Sequence, residues 1–233
     1  MLIYSICYYY GKNKKENINT HIDCFLQINK ENDLFLVCIM IDSHDIEVHN
    51  KIRYEILEYV KSNYNINFDI ITNFNWGGTI VALYDTYQYS KKIYNNLNPY
   101  IALFEEDFYS INKLFLNDSI NLLNNNNNIY IGESNIGRIK KNNDDNRQTG
   151  YKTNTHLTNE EVWTDGGYYF SNLINLIKIE DKIGIFHKGN KNTKYDRSED
   201  GISIGEVGFP TLLYNHNFNF DILNRSDYFV HNK

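Results

Sequence analysis

Apolar and polar positions follow two periods along this chain, and the period changes repeatedly over the first hundred residues. Leu2–Tyr9 is a β-branched and aromatic run that predicts a strand. Tyr10 and Gly11 close it, and a lysine-bearing polar loop follows. Ile18, Ile22, Phe25 and Leu26 fall at helical spacing and predict an amphipathic helix over Glu16–Ile28. Leu34–Ile41 is a continuous apolar run within Asp33–Asp42, the pattern of a strand covered on both faces. Ile52, Ile56, Leu57 and Val60 then mark a second helix, and Phe68–Thr72 a short third strand. Ile80, Leu83, Tyr84 and Tyr87 mark a third helix, and Tyr100–Phe104 a fourth strand. This alternation predicts an α/β fold with a mostly parallel central sheet flanked by helices.

The second half is less regular. Leu114–Leu123 has helical spacing, and Asn128–Ile131 reads as a strand running into Gly132-Glu133-Ser134-Asn135. Lys140–Glu160 is polar and aperiodic, which predicts a long loop, and long loops in small domains tend to serve function. Trp163–Ser171 combines a glycine pair with aromatics. A polar stretch, Lys188–Asp200, precedes an expected helix over Ile202–His216, where Pro210 fits only in a first turn. Asn217–Ile222 reads as a late strand. Neither repeats nor a linker interrupt the pattern, so one domain is expected over 1–233.

Composition narrows the classes. The chain has 233 residues, 42% of them hydrophobic, enough for one substantial core. A net charge of −6 argues against a nucleic-acid partner. No apolar run approaches the roughly 20 residues needed to span a bilayer. The N-terminal segment lacks the pattern of a secretory leader. Three widely spaced cysteines in apolar contexts, Cys7, Cys24 and Cys38, fit buried thiols in a reducing compartment. The expected location is therefore cytoplasmic. The richness in Asn, Ile, Lys and Tyr resembles the output of an AT-rich genome, and the cytoplasm would be a host's if the source is viral.

Candidate chemistry sits where the predicted parallel strands end. The fourth strand closes in Glu105-Glu106-Asp107. Three adjacent carboxylates repel one another unless a cation joins them, and a divalent ion bridging phosphates is a common solution. A solvated turn in which Asp107 caps a helix is the competing explanation. Asp42-Ser43-His44-Asp45 ends the second strand, and Asn73–Gly78 follows the third. In parallel α/β sheets such ends converge on a ligand crevice.

With these motifs in this order, the chain resembles GT-A fold (Rossmann-like) glycosyltransferases, closest in layout to the family 2 type. The resemblance spans most of the chain as an order of motifs. In that family the first strand ends over the nucleotide base, a position matched by Tyr8, Tyr9 and Tyr10. The turn after the second strand contacts base and ribose, as Asp42 would here. An Asn-x-Gly-Gly element is matched by Asn75, Gly77 and Gly78. The acidic metal motif is matched by Glu105 and Asp107, although Glu-Glu-Asp replaces Asp-x-Asp. Glu106, pointing the other way along the strand, is expected to matter least.

The resemblance further implies an acceptor region at Trp163, Gly166, Gly167 and Tyr168, although tyrosine is common enough here to fill core positions instead. It implies a catalytic base at Glu206, with Asp200 the rival because Glu199-Asp200 is the literal acidic pair. His187, His216 and His231 are candidates for a late metal ligand. The implied activity is transfer of a hexosyl or pentosyl group, with inversion, from a UDP- or GDP-type sugar donor to a glycan, glycoprotein or other hydroxyl acceptor, assisted by Mn2+ or Mg2+. Residues 1–110 would form the nucleotide-sugar half and 111–233 the less regular acceptor and catalytic half. The alternatives are a sugar nucleotidyltransferase, disfavoured by the single glycine and missing arginine of the loop after the first strand, and a degenerate binding member of the fold.

Overall fold

The first strand, β1 (Leu2–Tyr9), lies inside a seven-stranded sheet and is covered on both faces. A computed structural model of the chain describes residues 1–10, 15–74, 79–125, 127–134, 165–183, 209, 213 and 216–231. After β1 come α1 (Lys15–Leu26), β2 (Leu34–Ile41), α2 (Ile46–Asn63), β3 (Phe68–Phe74), α3 (Thr79–Ile93) and β4 (Tyr100–Glu105). These agree with the periodic pattern to within a few residues, apart from a longer α2 and α3. Then follow β5 (Phe108–Ser110), α4 (Leu114–Asn125), β6 (Tyr130–Ser134), β7 (Asp165–Asn172), α5 (Leu173–Ile183), β8 (Phe220–Asn224), α6 (Arg225–Tyr228) and β9 (Phe229–His231).

The sheet order is β3-β2-β1-β4-β7-β6-β8. β1 pairs in parallel with β2 and β4, β2 with β3, and β6 with β8. β7 alone runs antiparallel, to β4 on one side and β6 on the other. Its beginning therefore lies at the same edge as the ends of the other six strands. A second, two-stranded sheet joins β5 to β9, with Phe108 opposite His231.

Alternation along the strands divides the core into two layers. Tyr4, Ile6 and Tyr8 of β1 face α1, α2 and α4, where Ile22, Ile56 and Phe115 are buried. Ile3 and Cys7 face α3 and α5, where Leu83, Tyr87 and Leu176 are buried. Asp45 caps α2 by accepting the Glu47 amide at 2.8 Å.

Sequence pattern missed β7. From Asp165 the stretch Trp163–Ser171 is a strand inserted between β4 and β6. Gly167 belongs there because a Cβ on it would overlap the ring of Phe108.

One polar group lies deep in the first layer. His21 is fully buried. Its Nε2 donates to the Glu105 carbonyl at 3.1 Å, and its Nδ1 accepts from the Tyr4 hydroxyl at 2.9 Å. A carbonyl can only accept, so the neutral ring carries its proton on Nε2. Burial lowers the His21 pKa from 6.5 to about 4.

Two predictions follow from this packing. Gly167→Ala should lower stability by about 1–3 kcal/mol through overpacking against Phe108, read as a lower urea midpoint at constant slope. An unchanged midpoint would mean that the Phe108 ring moves aside freely. For His21 the folded pKa lies below the unfolded one, so the unfolded chain binds the extra proton. Its contribution is fully present above pH 6.5 and is lost as pH falls toward about 4. At about 1.4 kcal/mol per pH unit, that window is worth roughly 3 kcal/mol. His21→Gln keeps a donor that does not titrate, and the difference between its stability-versus-pH curve and that of the original chain should narrow over this window. Parallel curves would refute the assignment.

Candidate functional site

β4 is paired on both edges and buried along its middle, so its acids emerge only where the pairing with β1 ends, at Cys7 opposite Glu105. The three carboxylates then part company. Glu105 is half-buried, and its Oε1 accepts from Thr79 Oγ1, the first residue of α3, at 2.5 Å. The negative group thus lies at the positive end of a helix. Glu106 is the most buried of the three, at 7% exposure, and turns inward. This corrects the expectation that it matters least, since a buried carboxylate is costly to disturb. Asp107 reaches outward, and its Oδ2 lies 3.2 Å from His231 Nε2. Both members of that pair are partly exposed, which limits it to about 0–1 kcal/mol.

The acids mark their neighbours. Burial first, then the charges of Glu106 and Glu105, pushes the Cys7 thiol well above its ordinary value. Burial, then Glu106, pushes Tyr8 up to about 12. Tyr9 is raised by burial, then by Cys7 and Glu105, and its hydroxyl hydrogen-bonds with Cys7 and Thr79. All three stay protonated at neutral pH and are inert as nucleophiles or bases.

This places the first expected contacts unevenly. Tyr8 is 2% exposed and packs in the core, so its ring has no face left for a nucleotide base, a correction to the expected role. Tyr9 is half-buried beside Thr79 and Glu105, and Tyr10 is exposed, its hydroxyl donating to Glu55 at 3.3 Å. Asp42 is exposed at the end of β2. Beside it the His44 ring stacks on Phe74, the last residue of β3, with centroids 3.8 Å apart. His49 donates to the Ser43 carbonyl at 2.7 Å and stiffens the same turn. The structure therefore gathers Tyr9, Asp42, Glu105 and Asp107 along one sheet edge. Asn75, Gly77 and Gly78 lie outside the described residues, as do Trp163, His187, Asp200 and Glu206.

Of the expected acceptor residues, Gly166 and Gly167 open β7 at this edge. Tyr168 does not serve there. It is fully buried, 4.9 Å from the rings of Phe104 and Phe229, with its hydroxyl 2.9 Å from Ser119 Oγ. A ring enclosed on both sides cannot stack on a sugar. His216 lies apart from the acids, its carbonyl accepting from Lys182 Nζ at the end of α5. Of the described candidates for a late metal ligand, His231 is the one that meets an acid of the turn.

Sequence reasoning also missed a buried ion pair. Glu133, near the end of β6, has no exposed side-chain surface. It receives Arg225 Nε at 2.8 Å, Arg225 Nη2 at 2.7 Å and the Gly167 amide at 3.1 Å. The Arg225 guanidinium lies 5.0 Å from the centre of the Phe108 ring. Removing one member of such a pair costs about 3–5 kcal/mol, because the other is left charged and desolvated. The partners are 92 positions apart, and no local pattern announces them.

Asp107 and His231 bring together a carboxylate and an imidazole, two donor types that a hard or borderline cation takes, while the Glu105 carboxylate turns to Thr79. Among the described residues no group of three or more His, Cys, Asp or Glu side chains is placed to hold a metal ion. No helix among the described residues is long and apolar enough to cross a membrane.

No known family model and no curated protein matches the chain. Solved structures do. TarS 1–349 from S. aureus superposes with a TM-score of 0.50 at 14% identity, over 98% of this chain and 60% of that one. The nucleoside-diphosphate-sugar pyrophosphorylase of Vibrio cholerae gives 0.49 at 12% identity, over 100% and 95%. Mouse xyloside xylosyltransferase 1 in its apo form gives 0.45 at 12% identity, over 97% and 85%. The chain spans about three fifths of the TarS fragment. With its seven-stranded, mainly parallel sheet and flanking helices, the chain has a GT-A-like α/β fold.

Proposed function

We propose that the protein is a glycosyltransferase that moves a sugar from a nucleoside diphosphate-sugar to a hydroxyl acceptor, with Mn2+ or Mg2+ at the acidic turn. The observation that carries this reading is the outward placement of Asp107, beside Glu105 and against His231, at the edge where the parallel strands end. A bound divalent cation would supply positive charge to the departing diphosphate. Asp107 and His231 would hold it, and Glu105, oriented by Thr79, would meet a ribose hydroxyl or a water on the ion.

Asp42, at the end of β2, would receive the ribose or base of a UDP- or GDP-type donor. Asn75, Gly77 and Gly78 would let the backbone approach it. Gly166, in β7 beyond the end of β4, would leave room for the sugar or for the acceptor, a glycan or glycoprotein, while Gly167 is taken up by the Phe108 ring. Trp163 remains the aromatic residue proposed to stack on the acceptor. The acceptor hydroxyl must lose a proton as it attacks the anomeric carbon, and Glu206 is assigned as the base, with Asp200 next in line. A base acting directly on the acceptor gives inversion. In this scheme the work proceeds in the cytoplasm.

Asp107→Ala should weaken Mn2+-dependent binding of UDP or GDP by at least tenfold in calorimetry while leaving the thermal midpoint within a few degrees. Undiminished affinity would remove Asp107 from the site. Glu206→Gln should bind the same nucleotide normally and lose at least a hundredfold in turnover, the scale of general-base catalysis. Retained turnover would move the role to Asp200.

A further inference from the structure

We infer that the Glu133–Arg225 pair is a positioning element for the acidic turn, acting through Phe108 to set where Asp107 stands. The inference rests on the proposed metal and donor role of Asp107, and extends it to two residues that contact neither.

Phe108 follows Asp107 directly in the chain and is almost fully buried. One side of its ring lies under the Arg225 guanidinium at 5.0 Å. Gly167 approaches it so closely that a methyl group there would overlap the ring. Both of these neighbours are fixed by one carboxylate, since Glu133 accepts two bonds from Arg225 and one from the Gly167 amide. Glu133 thus ties β6, β7 and α6 to the residue next to Asp107.

The same short segment also reaches the outer side of the turn. Arg225 opens α6, and β9 follows at once. Phe229 and His231 pair with Ser110 and Phe108, and the Tyr228 carbonyl accepts the Ile111 amide at 2.9 Å. His231 then meets Asp107. Residues 225–231 therefore grip the turn twice, through Phe108 from within and through Asp107 from without. Arginine suits the inner grip because its planar fork binds a carboxylate with two parallel bonds and stacks on an aromatic ring. A lysine supplies charge without that geometry.

The test uses the full chain and the variants Arg225→Lys and Glu133→Gln, both close to the original in size. Two quantities are read: hydrogen exchange in peptides covering 104–110 and 34–41, and binding of UDP or GDP with and without Mn2+. The expected result is an exchange rate at 104–110 at least tenfold faster in both variants, with 34–41 unchanged. The Mn2+-dependent part of nucleotide affinity should fall about tenfold, with metal-free affinity unaltered. Exchange that stays slow at 104–110 overturns the inference. So does a uniform rise over both peptides, which marks loss of stability alone, and so does faster exchange at the turn with intact Mn2+-dependent affinity. Should one variant fail to fold, the other gives both readouts. If the original chain binds no nucleotide with or without Mn2+, the proposed function fails, and the exchange result alone decides whether the pair holds the turn.

Discussion

The edge of the sheet depends on a constraint set by β4. This strand is paired in parallel with β1 on one side and antiparallel with β7 on the other. Its middle residues, Ile101 to Phe104, are fully buried. Charge can appear only where the pairing stops, and there the chain places three carboxylates in succession. Their spread is enforced by what each finds. Glu105 meets the first residue of α3, Glu106 turns toward the core, and Asp107 turns toward His231. The turn is anchored from behind by a neutral histidine, His21, whose ring bonds the Glu105 carbonyl. A protonated ring would have to be desolvated in the same place, which is why burial lowers its pKa.

The electrostatics of this edge run in one direction. Glu105 and Glu106 add to burial in raising the pKa of Cys7, and Glu106 does the same for Tyr8. Burial is the larger cause in both, and at His21 it acts against positive charge as well. Glu133 carries a fixed counterion in Arg225, with 0% of its own side chain exposed. Asp107 has instead a histidine on a partly exposed surface. The first pair is built to stay closed. The second lies open to solvent.

Much of the first half was legible because each strand there is a continuous apolar or aromatic run and each helix has an apolar stripe. Leu34–Ile41 and Tyr100–Glu105 have these features. The acidic strand end was legible for the same reason, since three acids after a buried run stand out. Strand β7 was not. Its glycine pair mimics a loop, and its aromatics allow a core or a ligand-facing reading until a partner strand is known. Tyr168 shows the difficulty: only the fold reveals that Phe104, Phe115 and Phe229 enclose it. β5 and β9 have three residues each, too few for a period to register. The pairing of Glu133 with Arg225 joins two strand ends that lie far apart in sequence, and one charge at each end carries no mark of the other.

Chain order and site geometry also divide differently. Residues from the first hundred supply Tyr9, Asp42 and Thr79 to the edge, with Glu105 and Asp107 close behind. Yet the turn that holds Asp107 is completed by β6, β7 and residues 225–231. A strand end supported only by its own sheet partners would leave Asp107 free to swing with the loop after it. Pairing β5 with β9 and enclosing Phe108 removes that freedom, so the ordering cost is met during folding instead of at binding. The late segment therefore matters to the early motif. Under the proposed function, a carboxylate that shares a cation with a ligand would need a fixed position more than a protein cage, and residues 225–231 would supply that position from the opposite end of the chain.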